Sequence, residues 1–180
     1  MYDQRLKEMA PHLPILIDNE TCVYCNAPLD VSSRSKEHVI GRRFVPKGKL
    51  DRQWNLILWS CKRCNGQKAE LENDLSAISM QPDASGAFEE ADDVLASESR
   101  RKAANAVSRR TGKRVAESVE HITFNAALAP GFGLKFDLTA PPQADSQRVF
   151  TLARMHTMAF FYWITFDQSK KRGYFWPGGF

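Results

Sequence analysis

The sequence predicts an α+β chain, with a small cysteine-stapled domain over residues 1–84 and a mainly helical region with one or two strands over 85–180. Three observations predict it. All four cysteines fall in the first 64 residues as two Cys-x-x-Cys pairs, Cys22/Cys25 and Cys61/Cys64. An apolar stripe at i, i+4 and i+7 (Leu71, Leu75, Ile78) follows the second pair and predicts a helix. The C-terminal half then alternates helix-period segments with one strand-period segment.

Within the first domain, thiolates two residues apart can reach one tetrahedral zinc from a tight knuckle, and a second such pair completes the shell. Disulfides are the alternative, but nothing points to secretion, and reducing compartments keep thiols free. Four protein ligands close a zinc shell, so this ion would hold the fold and any chemistry would come from elsewhere. Val39-Ile40 and Leu56-Ile57-Leu58-Trp59 are short β-prone runs, and Pro82 and Gly86 mark the exit from the helix that follows them.

The second half begins after Pro82-Asp83-Ala84-Ser85-Gly86, the clearest break in composition. A helix is expected over 88–110, acidic in its first turns and basic in its last, with Gly112 as its C-cap. Val115, Val119, Ile122 and Ala126 keep a helical period and predict a second helix. Phe132, Leu134, Phe136 and Leu138 alternate with Gly133, Lys135, Asp137 and Thr139, which predicts a half-buried strand ended by Pro141-Pro142. A last helix spans 146–166; ten of the nineteen aromatics lie in 150–180, so its default role is a core element.

The net charge of +4 conceals strong segregation. Residues 31–64 carry +7, 65–99 carry −8, and 100–114 carry +7 again. Two basic blocks suit a polyanionic partner, because each Lys or Arg placed on a phosphate releases condensed counterions. For 100–114, with Arg100, Arg101, Arg109 and Arg110, a solvated helix face is an equal reading. A largely disordered chain is excluded by the 43% hydrophobic content. The longest apolar run, Met158–Phe166, is about half the roughly 20 residues that span a bilayer. The N-terminus, with acids at Asp3 and Glu8, does not read as a signal peptide, so a cytoplasmic protein is expected.

Between the cysteine pairs lie Glu37-His38 and Asn55-Leu56, and directly after them come Asn65-Gly66-Gln67-Lys68. A carboxylate beside a histidine, with an asparagine after the zinc pair, is not needed to bind zinc. Over about residues 20–72 the order CxxC, Asp/Glu-His, Asn-Leu, CxxC-Asn, Lys resembles the HNH (ββα-metal) endonuclease family, in its zinc-stapled branch with four cysteine ligands. The resemblance implies a treble clef: a β-hairpin followed by a helix that opens on the second CxxC. It implies metal-dependent hydrolysis of DNA phosphodiesters, leaving 5′-phosphate and 3′-hydroxyl ends. His38 would be the general base, Glu37 and Asn65 would hold one Mg²⁺ or Mn²⁺, and Asn55 would brace the loop that orients the histidine. Lys68 matches the family lysine, which could contact phosphate or cap the site. Asn65 stands where many members have histidine, an H-N-N variant whose oxygen donors favour Mg²⁺ over softer ions. Glu37 replaces the commoner aspartate and reaches one methylene further.

Arg42, Arg43, Lys47, Lys49 and Arg52 follow the histidine and suit a phosphate-gripping loop. Double-stranded DNA is therefore the expected partner, with a homodimer or protein contact through the C-terminal half. A non-catalytic zinc module that binds nucleic acid, and a protein–protein adaptor working through the aromatic C-terminal half, are the alternatives. Neighbours on a regular strand point to opposite faces, so Glu37 and His38 can serve one ion only if the backbone bends there. His156, in the aromatic helix, reads as a satisfied core histidine.

Overall fold

A computed structural model describes residues 13–45, 54–82 and 93–176. It is an α+β chain with three α-helices and two small sheets among those residues. It divides into two compact units, one running to Glu72 and resuming at Val149, the other covering 73–148. The expected domain boundary near residue 85 lies outside the described residues.

In the first unit, β1 (Ile15–Leu16), β2 (Arg34–His38) and β3 (Leu56–Cys61) form a sheet in the order β1-β3-β2. β3 runs parallel to β1 and antiparallel to β2, with His38 opposite Ile57 and Glu37 opposite Leu58. Helix α1 (Lys62–Ser79) begins directly after β3, so Cys64 sits in its first turn. Knuckle, antiparallel strand pair and helix follow one another in the order of a treble clef. Val39 and Ile40, expected within a strand, fall just beyond β2; the Val39 N–H still donates to the Leu56 carbonyl at 2.9 Å, but the Asn55 side chain takes both backbone groups of Ile40.

Helix α3 (Ser146–Ile164) packs its C-terminal half, from Met155 to Trp163, on this treble clef. Met158, Ala159 and Tyr162 share one core with Cys22, Val23, Val39, Leu56 and Leu58, and Trp54 stacks on Phe160 at 6.1 Å. Tyr162 ties the helix to the first cysteine knuckle, its hydroxyl 2.9 Å from Thr21 Oγ1. Asn19 fixes the same knuckle to β3: its Oδ1 accepts from the Trp59 N–H at 2.8 Å, and its Nδ2 donates to the Trp59 carbonyl at 2.7 Å. Gly173 lies so close to the Tyr162 carbonyl that a Cβ would sit 2.1 Å from the oxygen, so only glycine fits.

The second unit contains helix α2 (Asp93–Asn105) and strands β4 (Glu120–Ala129) and β5 (Phe132–Ala140). Its small core joins Ala77 and Ile78 from the end of α1 with Ala103, Ala106 and Val115. Three expectations are corrected here. The helix expected to reach residue 110 stops at Asn105, whose side chain caps the Arg101 carbonyl at 2.7 Å. Gly112, expected as its C-cap, instead supplies a positive φ of 70° inside a later turn closed by Ser108 N–H to the Lys113 carbonyl. The helix expected over 115–126 is a short 3-10 turn (Val115–Glu117) followed by β4. The four-residue spacing was coincidental, because Pro130-Gly131 makes a tight turn with Gly131 at φ 82° and returns the chain as β5. The alternating β5 needs a partner for its backbone, and Ile122-Thr123-Phe124 supplies β-prone residues in register.

No helix among the described residues is long and apolar enough to cross a membrane.

Candidate functional site

The cysteine cluster comes together as the spacing requires. The Sγ atoms of Cys22, Cys25, Cys61 and Cys64 all lie within 4.8 Å of one another, and Cys25 and Cys61 are 3.8 Å apart. Four sulfurs about 2.3 Å from a tetrahedral zinc stand about 3.8 Å from each other. Backbone N–H groups already point at sulfur, Cys61 N–H to Cys22 at 3.3 Å and Cys64 N–H to Cys61 at 3.4 Å. Burial pushes the Cys22 thiol up to about 11 and Cys64 higher still, whereas at Cys61 the opposing hydrogen bonds outweigh burial and bring the thiol down to about 7; a cation would offset the burial of the Cys22 and Cys64 thiolates. Donor type, number and spacing all fit a metal ion such as zinc.

A second group of residues surrounds an open cavity of about 160 Å³ beside the end of β2. Glu37, His38 and Asn65 line it together with Lys36, Gly41, Arg42, Arg43, Lys68 and Glu72. The strand alternation is kept: Ser35, Glu37 and Val39 face inward, and Glu37 is 1% exposed while His38 is half-buried. The two nevertheless border one cavity, because His38 is the last residue of β2 and the chain turns away beyond it.

Three side chains hold the backbone at that turn. Lys68 Nζ donates to the His38 carbonyl at 3.0 Å. The ring of His156, on α3, hydrogen-bonds with the backbone of Val39. Asn55, 5% exposed, takes both backbone groups of Ile40: Nδ2 donates to the carbonyl at 3.0 Å and Oδ1 accepts the N–H at 3.2 Å. Asn55 thus sits where it braces the segment that follows His38, with β3 as its rigid base.

Lys68, expected either to contact phosphate or to cap the site, is buried at 1% exposure. Its ammonium is 2.7 Å from Glu37 Oε1, pairs with Glu72 Oε1, and bonds the His38 carbonyl. Two hydrogen bonds and one ion pair thus hold the charge inside the protein. Glu72 is a residue the sequence reading missed. Its carboxylate lies against Gly41, where a Cβ would come within 2.2 Å of Oε1, which explains the glycine. Its signal was present as the i, i+4 spacing from Lys68. Tyr24, in the first cysteine knuckle, was missed as well; it is buried next to the Glu37 carboxylate.

The electrostatics follow from burial and neighbours. Burial raises the Glu37 carboxyl above its ordinary value, opposed by the Lys68 charge. Burial, then Arg42, Lys36 and Lys68, lowers the His38 imidazole, so its neutral form predominates near pH 7. Asn65 donates Nδ2 to Ser35 Oγ at 2.6 Å and to the Lys36 carbonyl at 3.4 Å, which leaves the amide oxygen as its remaining acceptor. Carboxylate and amide oxygens on one cavity wall are the hard donors that Mg²⁺ or Mn²⁺ takes, so the residues present fit such an ion.

Arg42 and Arg43 are exposed at the cavity rim on a 3-10 turn (Arg42–Phe44). Lys47, Lys49 and Arg52 lie outside the described residues. The second basic block is not one helix face. Arg100 and Arg101 are on α2, whereas Arg109 and Arg110 belong to the turn that follows it. Arg101 pairs with Glu98 at 2.5 Å and Arg110 with Glu120 at 2.8 Å, which offsets part of the block's charge within its own unit.

Comparison with known proteins adds one likeness. The chain is 37% identical over 65 residues to the Septu protein PtuB of Bacillus thuringiensis, a match covering 34% of this chain and 24% of that one. The chain therefore spans about a quarter of the curated relative it matches. No family model matches the chain, and no solved structure matches it.

Proposed function

We propose that the chain is a zinc-stapled HNH endonuclease that hydrolyses DNA phosphodiester bonds. The observation that carries the reading is the meeting of Glu37, His38 and Asn65 at one basic-rimmed cavity, next to a four-cysteine cluster and within a strand-strand-helix unit. Zinc binding alone requires none of those three residues.

His38 is the general base: its neutral imidazole takes a proton from the attacking water, at a pH where a carboxylate would be too weak and a lysine already protonated. Asn55 keeps that imidazole in place through Ile40, and Lys68 does so through the carbonyl of His38 itself. Glu37 and Asn65 would hold one Mg²⁺ or Mn²⁺. Such an ion supplies Lewis-acid stabilisation of the charge that builds on phosphate and leaving oxygen. Lys36, Arg42 and Arg43 grip backbone phosphates on either side of the scissile bond, which fixes the register of the strand without reading its bases. Lys68 acts from behind the site, holding the Glu37 carboxylate in one position.

Supercoiled plasmid incubated with Mg²⁺ or Mn²⁺ tests this. Nicking is expected, abolished by EDTA and reduced at least about a hundredfold in His38→Ala, the usual contribution of a general base. Nicking that survives His38→Ala rejects the mechanism. Salt-dependent DNA binding without cleavage in either ion supports a binding module instead.

A further inference from the structure

The β4–β5 hairpin has two unlike faces. Direct pairing of Phe124 with Phe136 and of Ala126 with Leu134 puts these on one face, together with Phe132 and Leu138. The other face carries Thr123, Asn125, Lys135, Asp137 and Thr139, and is pinned by a 2.6 Å hydrogen bond from Thr123 Oγ1 to Asp137 Oδ1. Alternation of this kind belongs to a sheet with one face in water and one covered. Yet Phe124, Phe132, Phe136 and Leu138 are each about half exposed, at 53%, 57%, 49% and 53%, and Leu134 is 39% exposed. A two-stranded hairpin is marginal in water without a covered apolar face.

We propose that this face is the contact surface of a homodimer, in which it packs on the same face of a second copy. Two properties select that occupant. The five side chains bear no charge, and a second copy offers an uncharged face of the same size. The areas also agree. Three half-exposed phenylalanines and two leucines present about 450 Å², and a twofold pairing covers about twice that before Ala126 and the backbone are counted. A specific interface needs about 1,000 Å² in total, and the face matches the roughly 300–600 Å² of the largest apolar patch on a typical monomer, a patch that is often functional. The polar face would remain in water. The dimer does not depend on the endonuclease reading; if both hold, one particle carries two sites, one for each strand of a duplex.

Light scattering on the size-exclusion eluate, or sedimentation velocity, reads the mass without DNA and so separates this proposal from the endonuclease reading. The 20.4 kDa chain should run at twice its mass at micromolar concentration. Phe136→Lys should return it to monomer, whereas Asn125→Lys on the polar face should leave the dimer intact. Zinc content and far-ultraviolet circular dichroism show whether Phe136→Lys remains folded; if it does not, the milder Phe124→Ala should raise the dissociation constant at least about tenfold. A wild-type protein that stays monomeric up to about 100 μM overturns the proposal, whether or not it captures some other protein. So does a folded Phe136→Lys or Phe124→Ala that dimerises as tightly as the wild type.

Discussion

Replacing Lys68 with methionine removes one positive charge from a site where two carboxylates depend on it. The Lys68 and Glu37 side chains are each 2% exposed and Glu72 is 9% exposed, so water does little to screen either pair. A pair 2.7 Å apart is worth about 6 kcal/mol at an effective dielectric constant of about 20. Most of that is offset by the cost of desolvating the ions. Deleting one partner, however, leaves the others charged and dry, which costs about 3–5 kcal/mol. Methionine fills nearly the same volume, so packing contributes little to the difference. Urea unfolding of zinc-loaded protein at pH 7.5 should therefore lose about 3–5 kcal/mol. The melting temperature should fall by about 6–20 °C at the 2–4 °C per kcal/mol of a chain this long. Adding Glu72→Gln should restore at least about 1 kcal/mol, because one uncompensated charge disappears. A Lys68→Met protein within about 1 kcal/mol of the wild type would refute the buried-ion account, and Lys68 would return as a candidate for phosphate contact.

Two further outcomes follow from the same geometry. Cys64→Ser should lower metal content from about one zinc per chain to near none and abolish cooperative unfolding of the treble clef, read by metal analysis and denaturation; a variant that keeps both refutes the four-sulfur site. His156 carries a pH signature. Burial, and next the Lys68 charge, push its ring down to about 4, while the unfolded value is about 6.5. Its contribution to stability is therefore present in full above about pH 6.5 and is lost as pH falls toward 4, because the unfolded chain takes up a proton that the folded one refuses. The ring is partly exposed, so the loss is discounted to about 2 kcal/mol from the roughly 3.4 kcal/mol of an unscreened shift. Comparing wild type with His156→Asn at pH 7.5, 6 and 5 isolates it; equal slopes for both proteins rule it out.

Much of the first unit is local in its causes and so was legible from residue order. A Cys-x-x-Cys pair makes its own knuckle, a run such as Leu56-Ile57-Leu58 extends wherever both faces are covered, and the stripe on α1 repeats within a few turns. Asn55 could be placed beside the His38 segment because a short loop and one strand separate them. The second half was harder. Val115, Val119, Ile122 and Ala126 satisfy a helical period by themselves, and only the pairing of β4 with β5 outweighs it.

By itself the sequence determined the four-cysteine cluster and the order of strand, strand and helix, and it singled out Glu37, His38 and Asn65 though not Glu72, since each of these depends on neighbours within tens of residues. Tertiary structure alone decided the state of Lys68, which residue order left between contacting phosphate and capping the site. Burial beside Glu37 and Glu72 turns it from a surface cation into the counterion of the site. It also decided that α3 and His156 reach the backbone next to His38 from more than a hundred residues away, and that the hairpin leaves an apolar face uncovered. These are consequences of desolvation and of long-range packing, and neither has a period that can be counted along a chain.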